Sequence, residues 1–281
     1  TNELPEHMSL KPFPYAEAFV AIERRVIALG SESLPQGLVM NQLDKFKRFA
    51  TRSISDAEYF SMLVFVAFYS GFKAATVTSK RSVIERHFPS WEVAAEYGET
   101  EINRILDDPD MIAHEGKVRG CVANARTFRD LVGRYGSFKA FLDQHLRSDS
   151  FEELMLLKEL LETTFDYLGG ITVYHFMTDI GLNVLKPDRV ICRLFHRLGL
   201  LDNENQLLKS IMEGRRFAAA TGLPIRYVDI VLVVFGQVAS LELGIAKGVC
   251  LKAPRCDLCS VRQQCRFSAV VNEIAVGCNA K

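Results

Sequence analysis

The chain carries no excess of charge of either sign: 34 Lys and Arg balance 34 Asp and Glu. Composition therefore gives no global argument for a nucleic-acid or membrane partner, and any such surface must be a local patch. Long apolar runs are also missing. The most apolar stretch, from Tyr59 to Tyr69, is about half of the ~20 residues a spanning helix needs, so no membrane is expected. The start, TNELPEHMSLKPF, lacks a cationic-then-apolar pattern, and nothing in it marks secretion. Seven cysteines, an odd number in 281 residues, do not read as a disulfide framework. Internal repeats and low-complexity tracts are absent as well. What is present is an ordinary globular composition, 48% hydrophobic and 24% charged, in a chain long enough for one large core or two small ones.

The periodicity is helical almost throughout. After a loose arm at residues 1–13, the spacing predicts helices over Tyr15–Leu29, stopped by Gly30, and over Met40–Phe49. Ser55 and Glu58 have the spacing at which each side chain satisfies the other's free backbone N–H. The helix they open, through Tyr69, is apolar nearly all round and is expected to be central. Helices are expected at Lys80–Phe88, Trp91–Tyr97, Glu101–Leu106, Glu115–Arg134 and Phe138–Leu146. Ser150 and Glu153 repeat the capping spacing before a helix over Glu152–Thr163. A tight turn at Gly169-Gly170 then leads into a buried helix ending at Gly181, and a further helix opens at Asp188 and stops at Gly199. Asn203–Glu213 reads as helical. Tyr227–Phe235 is rich in β-branched residues, yet no partner strand is evident and a lone strand leaves its backbone unpaired, so a buried helix is expected. The fold class is all-α.

Two features carry chemistry. Four cysteines, Cys250, Cys256, Cys259 and Cys265, follow the pattern Cys-x5-Cys-x2-Cys-x5-Cys. That many thiolates in one short loop suit either a tetrahedral zinc or an iron–sulfur cube, in a reducing compartment. Around them Lys247, Lys252, Arg255, Arg262 and Arg266 face only Asp257, either as a solvated surface or as a phosphate-contacting patch. Cys121, Cys192 and Cys278 read as core or tail residues. The second feature is Asp188, a carboxylate at a helix start, where Asp is a favoured cap. Lys186, Arg189, Arg193, His196 and Arg197 surround it in sequence, and a helix N-terminus keeps such a group ionised. Capping and the stabilisation of developing positive charge are compatible roles.

Asp188-x4-Arg193-Leu194, the helix–Gly-Gly turn–helix before it and the four C-terminal cysteines resemble the helix-hairpin-helix superfamily of DNA glycosylases over about residues 55–267. The segment Lys252-Ala253-Pro254-Arg255-Cys256 resembles the iron–sulfur branch of endonuclease III and the adenine glycosylase MutY. Phe165-x-Tyr167-Leu168-Gly169 and Tyr174-x-Phe176-Met177 look more like DNA-3-methyladenine glycosylase I, a branch that normally carries zinc. Gly116-Lys117 and Asn124-Ala125-Arg126 resemble the family helix ahead of the hairpin. The first cysteine gap is x5 where endonuclease III has x6, and Asp166-Tyr167-Leu168-Gly169-Gly170 replaces the usual Leu-Pro-Gly-x-Gly.

The resemblance implies a two-lobed helix-hairpin-helix fold with a C-terminal four-cysteine iron–sulfur loop. Residues 1–54 would pack with the C-terminal lobe, 55–181 form a six-helix lobe ending in the hairpin, 182–270 carry Asp188 and the cysteine loop, and 271–281 form a tail. It implies a monomeric, intracellular enzyme of base excision repair acting on double-stranded DNA. Asp188 would be catalytic. Cys250, Cys256, Cys259 and Cys265 would hold a [4Fe-4S] cluster, with zinc as the alternative. DNA phosphates would meet Gly169, Gly170, Lys186, Arg189, Arg193, Lys252 and Arg255. The lysine that lyase-type members use falls at Gly170, so base removal without strand cleavage is implied. Phe68, Tyr69, Phe72 and Tyr174 are candidates for the base pocket, with core packing the competing role for each. His114 and His175 are further candidates for a cleft, although a lone histidine is more often a core or surface residue. The hairpin points to alkylated purines such as 3-methyladenine. The cysteine loop points to oxidised, mispaired or bulky bases. A DNA-binding iron–sulfur protein without catalysis is the non-enzymatic alternative.

Overall fold

The computed structural model describes residues 12–48 and 53–268. Residues 1–11, the expected helix end at Phe49, Cys278 and the rest of the tail lie outside them. Among the described residues the architecture is all-helical, with no named strand. The helices in chain order are α1 (Tyr15–Ser31), α2 (Gln36–Lys47), α3 (Asp56–Tyr69), α4 (Ala74–Ser79), α5 (Arg81–His87), α6 (Trp91–Ala95) and α7 (Glu99–Leu106). They continue with α8 (Glu115–Tyr135), α9 (Phe138–His145), α10 (Phe151–Thr164), α11 (Ile171–Asp179), α12 (Arg189–Leu198), α13 (Leu207–Thr221) and α14 (Ile225–Gly236). No single described helix is long and apolar enough to cross a membrane.

Two compact units divide the chain. Among the described residues the first comprises 12–43, 189–223 and 230–268; the second comprises 44–48, 53–188 and 224–229. In the first unit α1 packs on α13. Phe217 meets Tyr15 edge-on at 5.0 Å and stacks on Phe195 at 5.5 Å. The Tyr15 hydroxyl donates to the buried Glu213 carboxylate. In the second unit α3 is the central element, packed against α8, α9 and α11. Its Phe60, Leu63, Val64, Val66 and Phe68 are almost completely excluded from solvent, each worth about 1.5–3 kcal/mol on full burial. Phe128 of α8 stacks on Phe138 at 4.8 Å and meets Phe60 at 5.7 Å and Trp91 at 5.3 Å. Trp91 is thus a packing residue.

The local signals met different outcomes. At the start of α3, Glu58 accepts from the Ser55 N–H at 2.9 Å while its own N–H donates to Ser55 Oγ at 3.3 Å, a complete capping box. At α10 the reciprocal half does not form. The Glu153 N–H reaches Ser150 Oγ, but its carboxylate takes the N–H groups of Arg147 and Ser148, and Ser150 N–H turns to Ser148 Oγ. The preceding loop competes successfully for the acid. Helix α2 begins four residues earlier than Met40, because the Pro35 carbonyl accepts from Leu38 and Val39 and opens the first turn. The expected helix at Asn203–Glu213 is displaced to α13. Asn203 side chain instead accepts from the Asn205 N–H in a local turn, and the alanine run carries the helix on to Gly222. Helix α4 was hidden by its Thr and Val content. Tyr227–Phe235 lies within α14, a helix as expected.

Candidate active site

Helix α3 is apolar on most of its circumference, yet one stripe of it, Glu58, Met62, Phe65 and Tyr69, faces a cleft of about 560 Å3 in the second unit. The spacing is that of one helix face. From α11 come His175 and Asp179, one turn apart, and Lys186, Arg81 and Arg226 complete the wall. The Tyr69 and His175 rings lie 5.4 Å apart and tilted by 47°. His175 Nε2 is 3.3 Å from Asp179 Oδ2, and Asp179 Oδ1 is 3.1 Å from the Arg226 guanidinium. Arg226 also donates to Asp229 Oδ2 at 2.7 Å, and Asp229 Oδ1 accepts from the Lys186 backbone N–H at 3.3 Å. Arg81 lies over the Phe65 ring at 4.4 Å.

Burial sets the protonation of this cluster. Loss of solvent pushes His175 down to about 4, with Lys186 and Arg226 acting the same way against the Asp179 and Asp188 carboxylates. The imidazole is therefore neutral at physiological pH. Burial likewise raises Asp229 to about 6; Asp188 adds to the rise and Arg226 opposes it. The cleft thus joins an aromatic ring, an uncharged imidazole and paired charges.

Asp188 is not in the cleft wall, but its neighbour Lys186 is, with Lys186 Nζ 4.0 Å from Asp188 Oδ2. The Asp188 side chain is 24% exposed, and its N–H donates to the Lys186 carbonyl at 2.8 Å. Of the four proposed aromatic contacts, only Tyr69 lines this cleft. Phe68 points into the core and packs on Phe88. Tyr174 is buried with its hydroxyl toward Met155 Sδ at 3.7 Å. Phe72 stands edge-on to His114, and His114 caps α8 by accepting the Lys117 N–H at 3.2 Å. A helix apolar on most faces gives no phase from which to choose the ring that faces a cavity. Phe65, Arg81, Asp179, Arg226 and Asp229 were missed. The available signals were the four-residue spacing of His175 and Asp179 on α11 and the three-residue spacing of Arg226 and Asp229 on α14.

The hairpin is held from α8. Asn124 donates to the Asp166 carbonyl at 2.9 Å and accepts from the Asp166 N–H at 2.7 Å. Gly169 and Gly170 are exposed, and Gly170 adopts φ 61°, a conformation that suits glycine. The Gly170 N–H already donates to Glu162 Oε1 at 2.8 Å.

In the first unit, α12 is fastened to the cysteine loop. Arg193, expected to meet DNA, instead donates to the carbonyls of Gly236 and Cys250 at 2.8 and 3.2 Å. Arg197 donates to Cys250 Sγ at 3.4 Å and to the Leu251 and Lys252 carbonyls. Arg255 likewise turns inward, to the carbonyls of Lys247 and Gly248. Lys252 and Arg189 have exposed side chains. Cys250 is buried, whereas Cys256, Cys259 and Cys265 are partly exposed free thiols. Burial pushes Cys259 up to about 11, and the other three cysteines add to the rise, so the four sulfurs sense one another. Among the described residues no three His, Cys, Asp or Glu side chains are grouped as a ligand set for one metal ion. The donor chemistry, four thiols in one loop, fits a thiolate-bound metal centre.

The family model for methyladenine glycosylases matches residues 47–190, just over half of the chain. The chain belongs to that family. Every cleft residue named above except Arg226 falls inside the matched range, and the cysteine loop falls outside it. Among solved structures, a 3-methyladenine DNA glycosylase I variant in complex with 3-methyladenine is 23% identical, over 46% of this chain and 78% of that one, with a TM-score of 0.41. The 3-methyladenine DNA glycosylase I from Staphylococcus aureus is 22% identical over 47% of this chain and 80% of its own, with a TM-score of 0.42. No curated protein matches the chain.

Proposed function

We propose that this chain is a monofunctional DNA glycosylase that hydrolyses the N-glycosidic bond of an alkylated purine, 3-methyladenine foremost, and leaves an abasic site without cutting the strand. The observation that carries this reading is the Tyr69–His175–Asp179 wall of the cleft within the family-matched stretch. Reaching a base inside a duplex requires flipping its nucleotide, at about a few kcal/mol. An alkylated adenine is a cation with a weakened glycosidic bond. The Tyr69 face attracts it, and a neutral His175 does not repel it. As the bond breaks, positive charge develops on the sugar, and the Asp188 carboxylate, supported by Lys186, stabilises that charge and orients water. No amine stands at Gly170 to form a covalent imine, which supports hydrolysis alone. The protein would act as a monomer on double-stranded DNA.

Cys250, Cys256, Cys259 and Cys265 would hold a [4Fe-4S] cluster, with zinc as the alternative. Either would tie together a loop that has little core of its own. The same loop favours a second reading, in which oxidised, mispaired or bulky bases are the substrates.

The test is incubation of the full chain with duplexes methylated by dimethyl sulfate or carrying oxidised thymine, scored for abasic sites. Release from the methylated duplex is expected, and Asp188→Asn should bind DNA yet lose about a hundredfold in rate. Wild-type turnover by Asp188→Asn would remove Asp188 from the mechanism. Release from the oxidised duplex alone would replace the first reading by the second. Strand breaks without heat or added base would contradict the monofunctional assignment.

A further inference from the structure

Behind the cleft wall, bonded to Lys186 and Arg226, lies a buried carboxylate that neither the family match nor the hairpin explains. Asp229, the fifth residue of α14, is 2% exposed, a position where an acid is costly unless its oxygens are engaged. Both are. Oδ1 accepts from the Lys186 N–H and Oδ2 from Arg226 Nη1. Lys186 is followed by Pro187, which has no N–H, and the Asp188 N–H is spent within the turn on the Lys186 carbonyl. The Lys186 N–H is a backbone donor by which the Lys186–Asp188 turn is gripped from α14. The other oxygen continues through Arg226 to Asp179 and His175, the wall against which a base would lie.

We infer that Asp229 is a positioning residue, which clamps the turn carrying Lys186 and Asp188 and joins it through Arg226 to the Tyr69–His175 wall. The catalytic part of this inference rests on the function proposed above; the clamp itself does not. Two carboxylates, Asp188 and Asp229, thereby share the neighbourhood of Lys186 with unequal roles. One is partly exposed beside the cleft and the other is buried behind hydrogen bonds.

The sign of the pH dependence follows from burial. Asp229 is raised from 3.8 to about 6, so its contribution to stability is complete below pH 3.8 and is lost as pH rises through about 6. The charges facing it are Arg226 on its own helix and Lys186 and Asp188 on the turn, with Asp179 and His175 of α11 beyond Arg226.

The experiment compares the full-length wild type with Asp229→Asn, which keeps an acceptor for the Lys186 N–H but removes the charge. The Lys186 amide resonance is followed from pH 4.5 to 8, and single-turnover release is measured on dimethyl-sulfate-methylated duplex. Binding is measured on a duplex with a tetrahydrofuran abasic analogue. The amide is expected to titrate with a midpoint near 6 in wild type and to be flat in the variant. The rate should fall by about tenfold or more, as displaced catalytic groups do, with abasic-analogue affinity unchanged. A Lys186 amide insensitive to pH in wild type, or a wild-type rate in Asp229→Asn, overturns the inference. If wild type releases no methylated base, the glycosylase reading fails by itself, and the amide titration still decides the clamp.

Discussion

The Gly170 N–H donates to Glu162 Oε1 at 2.8 Å, so the hairpin turn holds an anion of its own where a DNA phosphate was expected. Glu162 is in turn paired with Lys158 one helical turn earlier. A phosphate reaching this turn must displace the carboxylate or share the amide with it, and like charges oppose sharing. Glu162→Gln keeps the shape and removes the charge. Its binding to undamaged duplex is expected to tighten, and the slope of log affinity against log salt to steepen by about 0.9, the value for one additional phosphate contact. An unchanged slope would place the DNA backbone elsewhere.

Helix α8 seats the other side of the hairpin through a missing side chain. A Cβ at Gly120 would lie 2.7 and 2.8 Å from two ring atoms of Tyr167, which has φ 59° and holds Lys117 Nζ 4.6 Å from its ring centre. Gly133, on the same helix, has nothing within 4 Å of a built Cβ. Helix propensity alone favours Ala at both positions by about 1 kcal/mol. At Gly120 overpacking against a constrained ring, at about 1–3 kcal/mol, outweighs it. Denaturant unfolding should therefore show Gly133→Ala stabilised and Gly120→Ala destabilised. Equal stabilisation of both would mean that the Tyr167 ring yields freely.

The parts legible in the sequence were those settled by short-range chemistry. Ser55 and Glu58 announced the start of α3 because both halves of the box lie within four residues. The helical state of α14, against its β-branched content, followed from the want of any strand to pair with it. What could not be read was the rotation of each helix. Phe68 and Tyr69 differ by one position, about 100° around α3, and one enters the core while the other lines the cleft. Nor could sequence reveal which long side chains turn inward. Arg193 and Arg255 looked like phosphate ligands, and in the structure their guanidinium groups donate to backbone carbonyls distant in the chain or across the loop. Arg226 bridges Asp179 and Asp229 across 47 and 3 positions of chain, and only the nearer partner has a recognisable spacing.

The cysteine loop gives the last prediction. Its backbone is held by Arg193 and Arg197 of α12, and Cys265 Sγ donates back to the Arg197 carbonyl at 3.3 Å. The segment from Lys252 to Phe267 buries only Val261. Arginine contacts to carbonyls orient such a loop but supply little hydrophobic stabilisation, so a metal held by the thiols, as proposed above, would supply much of its folding free energy. Anaerobically purified protein is expected to be brown, with about four irons and four sulfides per chain. A colourless protein with one zinc would select the alternative metal. Cys259→Ser, or removal of the metal by a chelator, should lower the thermal midpoint and expose the loop to protease, whereas Cys121→Ser, at a buried thiol on α8, should leave the metal content unchanged. Full metal loading of the Cys259→Ser chain with unaltered protease resistance would show that the four sulfurs do not act as one ligand set.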